Sequence, residues 1–90
     1  MENIVTLLKA LSDENRIKIL QLLLKYDFCV RALSKRIGIS EAAVSQHLKI
    51  LREADIIYGE KIGYFTHYHV KKDTLLLVSD YFSNLSAEQK

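Results

Sequence analysis

Two stretches of helical periodicity, about residues 30–37 and 40–54, have only Gly38 and Ile39 between them, and this spacing constrains the chain more than any other feature. Val30, Leu33 and Ile37 recur in steps of three and four, the period of one helix face. Gly38 stands where a left-handed C-cap is needed, and Ser40 where a side-chain oxygen can cap the next helix. A turn this short makes the second helix cross the first, the geometry of a helix-turn-helix unit.

The second helix, Ser40 to Ala54, divides into two sides when its residues are set about 100° apart. Val44, Leu48 and Leu51 share the side that locks onto a core. Glu41, Ala42, Ser45, Gln46, Lys49 and Arg52 share an arc of roughly 140° opposite. Small residues near the helix start allow close backbone approach, and the amide, hydroxyl and cations suit the major groove of double-stranded DNA. Gln46 can pair with both edge atoms of an adenine, Ser45 can bond base or phosphate, and Lys49 and Arg52 are placed for phosphates. Glu41 fits either a cytosine amino group or the positive end of the helix dipole. An ordinary solvated helix face is the plain alternative; the turn before the helix and the hairpin after it favour DNA.

Residues 2–11 carry Ile4, Leu7, Leu8 and Leu11 at helical spacing, and Ser12-Asp13 supplies cap chemistry for a second helix, about Glu14 to Lys25. Ile17, Ile19, Leu20, Leu22, Leu23 and Leu24 cover most of that helix's circumference, which marks it as central. Beyond Asp55 the period changes to alternation. Ile56 to Tyr58 and Tyr64 to Val70 read as strands joined around Gly59 to Gly63, a wing over about residues 56–70. Lys61 then sits at the wing tip, within reach of a phosphate or minor groove, and Tyr64 and Tyr68 read as packing residues. A last helix over about residues 73–85 aligns Leu75, Val78, Phe82 and Leu85 in one stripe, and Ser86 to Lys90 is expected to fray. The expected fold is mainly α with a small β-hairpin, a winged helix-turn-helix of order ααααββα, in a single domain spanning residues 1–90.

At ninety residues a core is marginal, since such a chain buries only about 60–65% of its unfolded surface. With 49% hydrophobic residues, apolar surface is left over that a second copy would cover. No apolar run approaches the ~20 residues needed to cross a bilayer, and Glu2 rather than a basic leader follows Met1, so a cytosolic protein without a membrane partner is expected. The single Cys29 allows neither an intrachain disulfide nor, alone, a thiolate metal site, and reads as a small buried hydrophobe. Net charge is only +2, yet residues 31–72 hold eight basic against four acidic side chains, leaving the ends acidic. No nucleophile, base and oxyanion donor fall into a recognisable arrangement, and no glycine-rich phosphate loop is present, so neither an enzyme nor a cofactor is expected. A winged-helix module that binds another protein is the competing class. The 41–52 arc argues against it, because it lacks the aromatic and aliphatic anchors of interface hot spots.

Residues 10–20, Ala-Leu-Ser-Asp-Glu-Asn-Arg-Ile-Lys-Ile-Leu, and residues 37–54, from Ile37-Gly38-Ile39-Ser40 through Ser45-Gln46-His47-Leu48 to Ala54, resemble the ArsR-type (ArsR/SmtB) transcriptional repressors over nearly the whole chain. The resemblance implies a homodimer formed by the first and last helices, here through Ile4, Leu8, Leu11, Leu75, Val78, Phe82 and Leu85. It also implies two recognition helices in successive major grooves of a palindromic operator, and it makes His47 part of the reading helix. The family's thiolate sensors carry Cys-Val-Cys in the third helix, where this chain has Cys29-Val30-Arg31, and its zinc sensors use Asp and His along the last helix, where residues 73–85 hold Asp73 and Asp80 but no histidine. The expectation is therefore a repressor without the usual metal site. His67 and His69, two apart on a strand, face one side but lack a third ligand, and phosphate proximity is their simpler role.

Overall fold

Asn3, Asp13 and Ser40 each hold an extended backbone and accept a hydrogen bond from a main-chain N–H two or three residues on, at 2.8, 3.1 and 3.0 Å. These caps start three of the helices in the computed structural model, which describes residues 3–88. The elements run α1 (Ile4–Leu11), α2 (Glu14–Leu23), α3 (Val30–Ile37), α4 (Glu41–Glu53), β1 (Ile57–Ile62), β2 (Phe65–Val70) and α5 (Lys72–Ala87). This is the order ααααββα expected from periodicity. Residues 2, 89 and 90, which were assigned to the first helix and the fraying end, lie outside the described residues.

Helix α2 packs against α1, α3, α4 and β2 and is the centre of the fold. Leu7, Ile19, Leu33, Val44, Leu48, Leu51, Ile56 and Ile57 are its fully buried core neighbours and members. The helix closes at Leu23, two residues short of the expected end. The Lys25 and Tyr26 N–H groups both bond back to the Leu22 carbonyl, tightening the last turn and throwing the chain toward α3.

Gly38 ends α3 in the left-handed region at φ +81°, as its position predicts. The Ser34 hydroxyl donates to the Ile39 carbonyl at 2.6 Å, tying the turn to the helix it leaves. The other end of α4 has no glycine. Asp55 takes the left-handed conformation there, at φ 63°; the Ile56 N–H bonds the Leu51 carbonyl and the Asp55 N–H bonds the Arg52 carbonyl, each at 3.0 Å. These two bonds form a Schellman motif, and its hydrophobic staple is the buried pair Leu51 and Ile56. Lys71 pairs with Asp55, and the Thr74 hydroxyl donates to the Asp55 carbonyl at 2.8 Å, so the start of α5 is fastened to the end of α4.

The wing corrects the sequence reading. Its strands are longer and its loop shorter than expected: Ile62 pairs with Phe65, leaving only Gly63 and Tyr64 as the turn. Gly63 supplies the positive φ, 63°, that a two-residue hairpin loop needs. Gly59 lies inside β1 because a side chain there would meet Thr66 Cγ2 at 2.9 Å and the Tyr68 ring. Lys61 is consequently a strand residue opposite Thr66, not the tip. Tyr64 is the tip and is 97% exposed rather than packed, whereas Tyr68 is buried as expected.

Helix α5 begins one residue early, at Lys72, and extends through Ser86 to Ala87, where fraying was expected. Thr74 is buried and Leu75 and Val78 pack on the core, but Leu76, Leu77, Tyr81, Phe82 and Leu85 are exposed. Sixteen residues make a rod of about 24 Å. Most of it stands clear of the body in a molecule 53 Å long and only 24 × 21 Å across.

Candidate nucleic-acid interface

Every residue of the polar arc on α4 is exposed: Glu41, Ala42, Ser45, Gln46, Lys49 and Arg52 all face out, with the cap residue Ser40 at their start. Val44, Leu48 and Leu51 anchor the opposite side with at most 1% of their surface exposed. The helix is thus held on one side and offers an unobstructed face on the other.

Beside the start of α4 lies an open groove of about 710 Å³ between α3 and β2. Arg31, Ser34 and Lys35 form one wall, Tyr64 and Thr66 the other, and Glu41 of α4 closes an end. Arg31 and Lys35 are one helical turn apart, so they point along the same face. Arg36 does not join them, because its guanidinium lies over the Phe28 ring at 5.3 Å. Lys61, cross-strand from Thr66, leaves the hairpin on the groove side, because paired residues share a face. The cations of α3 and the tyrosine at the tip were missed in the sequence. The helical step from Arg31 to Lys35 was a readable signal for the first two, whereas Tyr64 needed the true loop length.

His47 occupies a different environment from the arc residues. Its side chain is 18% exposed, and its Nδ1 accepts a hydrogen bond from Arg16 Nη1 at 3.2 Å. Asp13 Oδ2 stands 3.8 Å from the same nitrogen. The hydrogen bond from the Arg16 backbone N–H holds the Asp13 carboxyl below its usual range against the cost of burial, and the nearby Arg16 guanidinium adds to the lowering.

On the wing, the His67 Nδ1–H donates to the Asp27 carbonyl at 2.7 Å. His69 lies between Asp27 Oδ1 at 3.2 Å and Glu60 Oε1 at 2.9 Å and stacks on Tyr58. Both rings are committed to protein groups. Among the described residues, no group of three His, Cys, Asp or Glu side chains has metal-holding geometry. Cys29, at the N-cap of α3, is half-buried and makes no capping hydrogen bond with its side chain.

Of the residues expected at a dimer contact, Ile4, Leu11, Leu75 and Val78 pack partly against the chain's own core, Leu8 is half-buried, and Phe82 and Leu85 are exposed. Leu76, Leu77, Tyr81 and Val5 extend the exposed apolar surface and were not anticipated.

These features have close counterparts in known proteins. Residues 13–58 match the family described as "Bacterial regulatory protein, arsR family". The transcriptional repressor SdpR of Bacillus subtilis is 36% identical over 67 residues, covering 74% of each chain. The transcriptional activator HlyU of Vibrio cholerae is 42% identical over 57 residues, 63% of this chain and 53% of its own. Among solved structures, an ArsR-like transcriptional regulator from Rhodococcus sp. RHA1 superposes with a TM-score of 0.86 at 26% identity, covering 93% of this chain and 79% of that one. The matched segment runs from the cap of α2 through the whole of α4 into the wing, and the similarity to SdpR spans two thirds or more of both chains, so this chain belongs to the ArsR family of bacterial regulatory proteins.

Proposed function

We propose that the chain is a transcriptional regulator that binds a palindromic DNA operator as a homodimer and represses by occupying it. The observation that carries this reading is the face of α4: Ser45 and Gln46 stand exposed one turn before Lys49, with Arg52 a further turn on, along a helix whose other side is locked into the core. Gln46 reads an adenine edge, Ser45 and Glu41 assist at neighbouring positions, and Ala42 permits close approach. Lys49 and Arg52 hold phosphates on one side of the groove, while Arg31 and Lys35 hold the backbone that enters the cleft between α3 and the wing. Lys61 adds a third cation on that side, and Tyr64 reaches past the backbone from the wing tip.

The second copy is called for by α5. Beyond the part of α5 that Leu75 and Val78 seat on the core, its outer turns carry Leu76, Leu77, Tyr81, Phe82 and Leu85 into water, and helical segments standing alone are marginal. A two-fold partner laying the same helix and α1 against it buries this surface and spaces two α4 helices for successive major grooves. Repression follows the better-covered relative, SdpR. Arg31 holds the position where the family's thiolate sensors have their second cysteine, so no metal takes part in this reading. No helix among the described residues is long and apolar enough to cross a membrane, in keeping with action on DNA in the cytoplasm.

The test is selection of binding sites by the purified protein from a random duplex pool at low salt. Enriched sequences should contain two inverted half-sites centred about 10–11 base pairs or a multiple apart, with affinity falling steeply as salt rises. A pool that remains unenriched at low salt, or binding indifferent to salt, overturns the proposal and favours a protein-binding module.

A further inference from the structure

We infer that His47 is a positioning residue rather than a DNA contact: uncharged, it ties the recognition helix to the end of α1 through Arg16, and taking up a proton releases that tie and weakens operator binding. The inference rests on the DNA-binding reading above and assigns a separate role within it.

Arg16 Nε donates to the Ala10 carbonyl at 2.6 Å and Nη2 to the Lys9 carbonyl at 3.4 Å, so the group caps the carbonyl end of α1. Its Nη1 reaches His47 Nδ1 at 3.2 Å. A guanidinium has donors and no acceptor, so this contact requires a lone pair on Nδ1 and places the ring proton on Nε2. One side chain therefore joins three helices: α2, which carries it; α1, part of the proposed dimer contact; and α4, which faces the DNA.

Protonation at Nδ1 turns that nitrogen into a donor facing a donor. The bond to Arg16 is lost and two positive charges are left side by side. The Asp13 carboxylate, at 3.8 Å, is positioned to receive the new N–H and already accepts from the Arg16 backbone N–H as the cap of α2. The ring is drawn toward the start of α2 and away from Arg16, and α4 loses its tie to the end of α1. The charged groups facing the ring from α2 and its cap are Arg16 and Asp13. The α1 groups in this cluster are the Lys9 and Ala10 carbonyls, both bonded to Arg16. The residues one turn away on α4 are Ala43, Val44, Ile50 and Leu51, none of them charged.

The sign of the effect separates this role from the one expected from sequence. A histidine touching DNA gains a phosphate attraction on protonation, so acid strengthens binding; a histidine that must accept from Arg16 weakens it. The chain carries two other histidines, so the informative quantity is affinity for a selected operator relative to a variant with only residue 47 changed. His47→Asn keeps an acceptor near the Nδ1 position and cannot titrate, whereas His47→Gln places its amide at the other end of the ring's span.

From about pH 8 to about pH 5.5, wild type should lose on the order of tenfold in affinity relative to His47→Asn, and the two should agree within about twofold at the alkaline end. His47→Gln should be weaker than both at alkaline pH and parallel His47→Asn as pH falls. A ratio of wild type to His47→Asn that stays flat, or one that rises in acid, overturns the inference. If instead no protein selects DNA at any pH, it is the DNA-binding reading that fails.

Discussion

Leu51→Ala is expected to destabilise the protein by about 2–5 kcal/mol, read as a fall in the urea midpoint at unchanged slope. Leu51 has no exposed surface and lies among Val44, Leu48 and Ile56 where α4 meets the rest of the core. Truncation leaves a cavity that surrounding side chains can fill only in part. It also removes half of the Leu51–Ile56 staple, on which the left-handed turn at Asp55 and the departure angle of β1 depend. Since a domain of this size has only about 5–15 kcal/mol in total, the variant should show a markedly lower melting temperature and lose DNA binding on modest warming. A loss below about 1 kcal/mol would mean that α4 is not seated as described.

The second large effect is expected at the projecting helix. Phe82→Asp should convert the proposed dimer to monomer in sedimentation and reduce operator affinity on the order of a hundredfold or more, while leaving the monomer fold intact. Phe82 is exposed in the single chain and lies edge-on to Tyr81 at 5.3 Å, so the substitution breaks no core contact. In a two-fold dimer each interface receives two new carboxylates facing an apolar surface, and burying an unpaired charge costs several kcal/mol. A monomer engages one half-site at a time, so the cooperative gain of the second is lost. A variant that remains dimeric with unchanged affinity would place the dimer contact elsewhere.

Much of this was legible because the informative residues are local. Gly38 and Ser40 fix the turn by their own backbone and side-chain chemistry, and the period of Val44, Leu48 and Leu51 orients α4 without reference to any other element. The misses share a different origin. Asp55 takes a left-handed cap that sequence rules assign to glycine or asparagine, sustained by its ties to Lys71 and Thr74 far along the chain. Gly59 reads as a loop residue by composition, yet it is a strand residue because the Thr66 and Tyr68 side chains fill the space over it. The stripe Leu75, Val78, Phe82 and Leu85 is continuous on the wheel but not in its environment: the helix leaves the body after Val78, so one stripe serves two surfaces. His47 falls on the flank of α4 in projection, and only the fold brings Arg16, 31 positions earlier, against its ring.

The most direct test of the central claim, that the outer face of α4 reads DNA with divided roles, compares Gln46→Ala with Lys49→Ala on a selected operator and on versions with one base pair changed. Gln46→Ala should equalise affinity at one adenine position, where wild type discriminates by about 1–3 kcal/mol, and leave the salt dependence unchanged. Lys49→Ala should keep that discrimination, weaken every sequence alike and reduce the salt slope by about one. Identical behaviour of the two variants, or full discrimination without Gln46, would contradict the account.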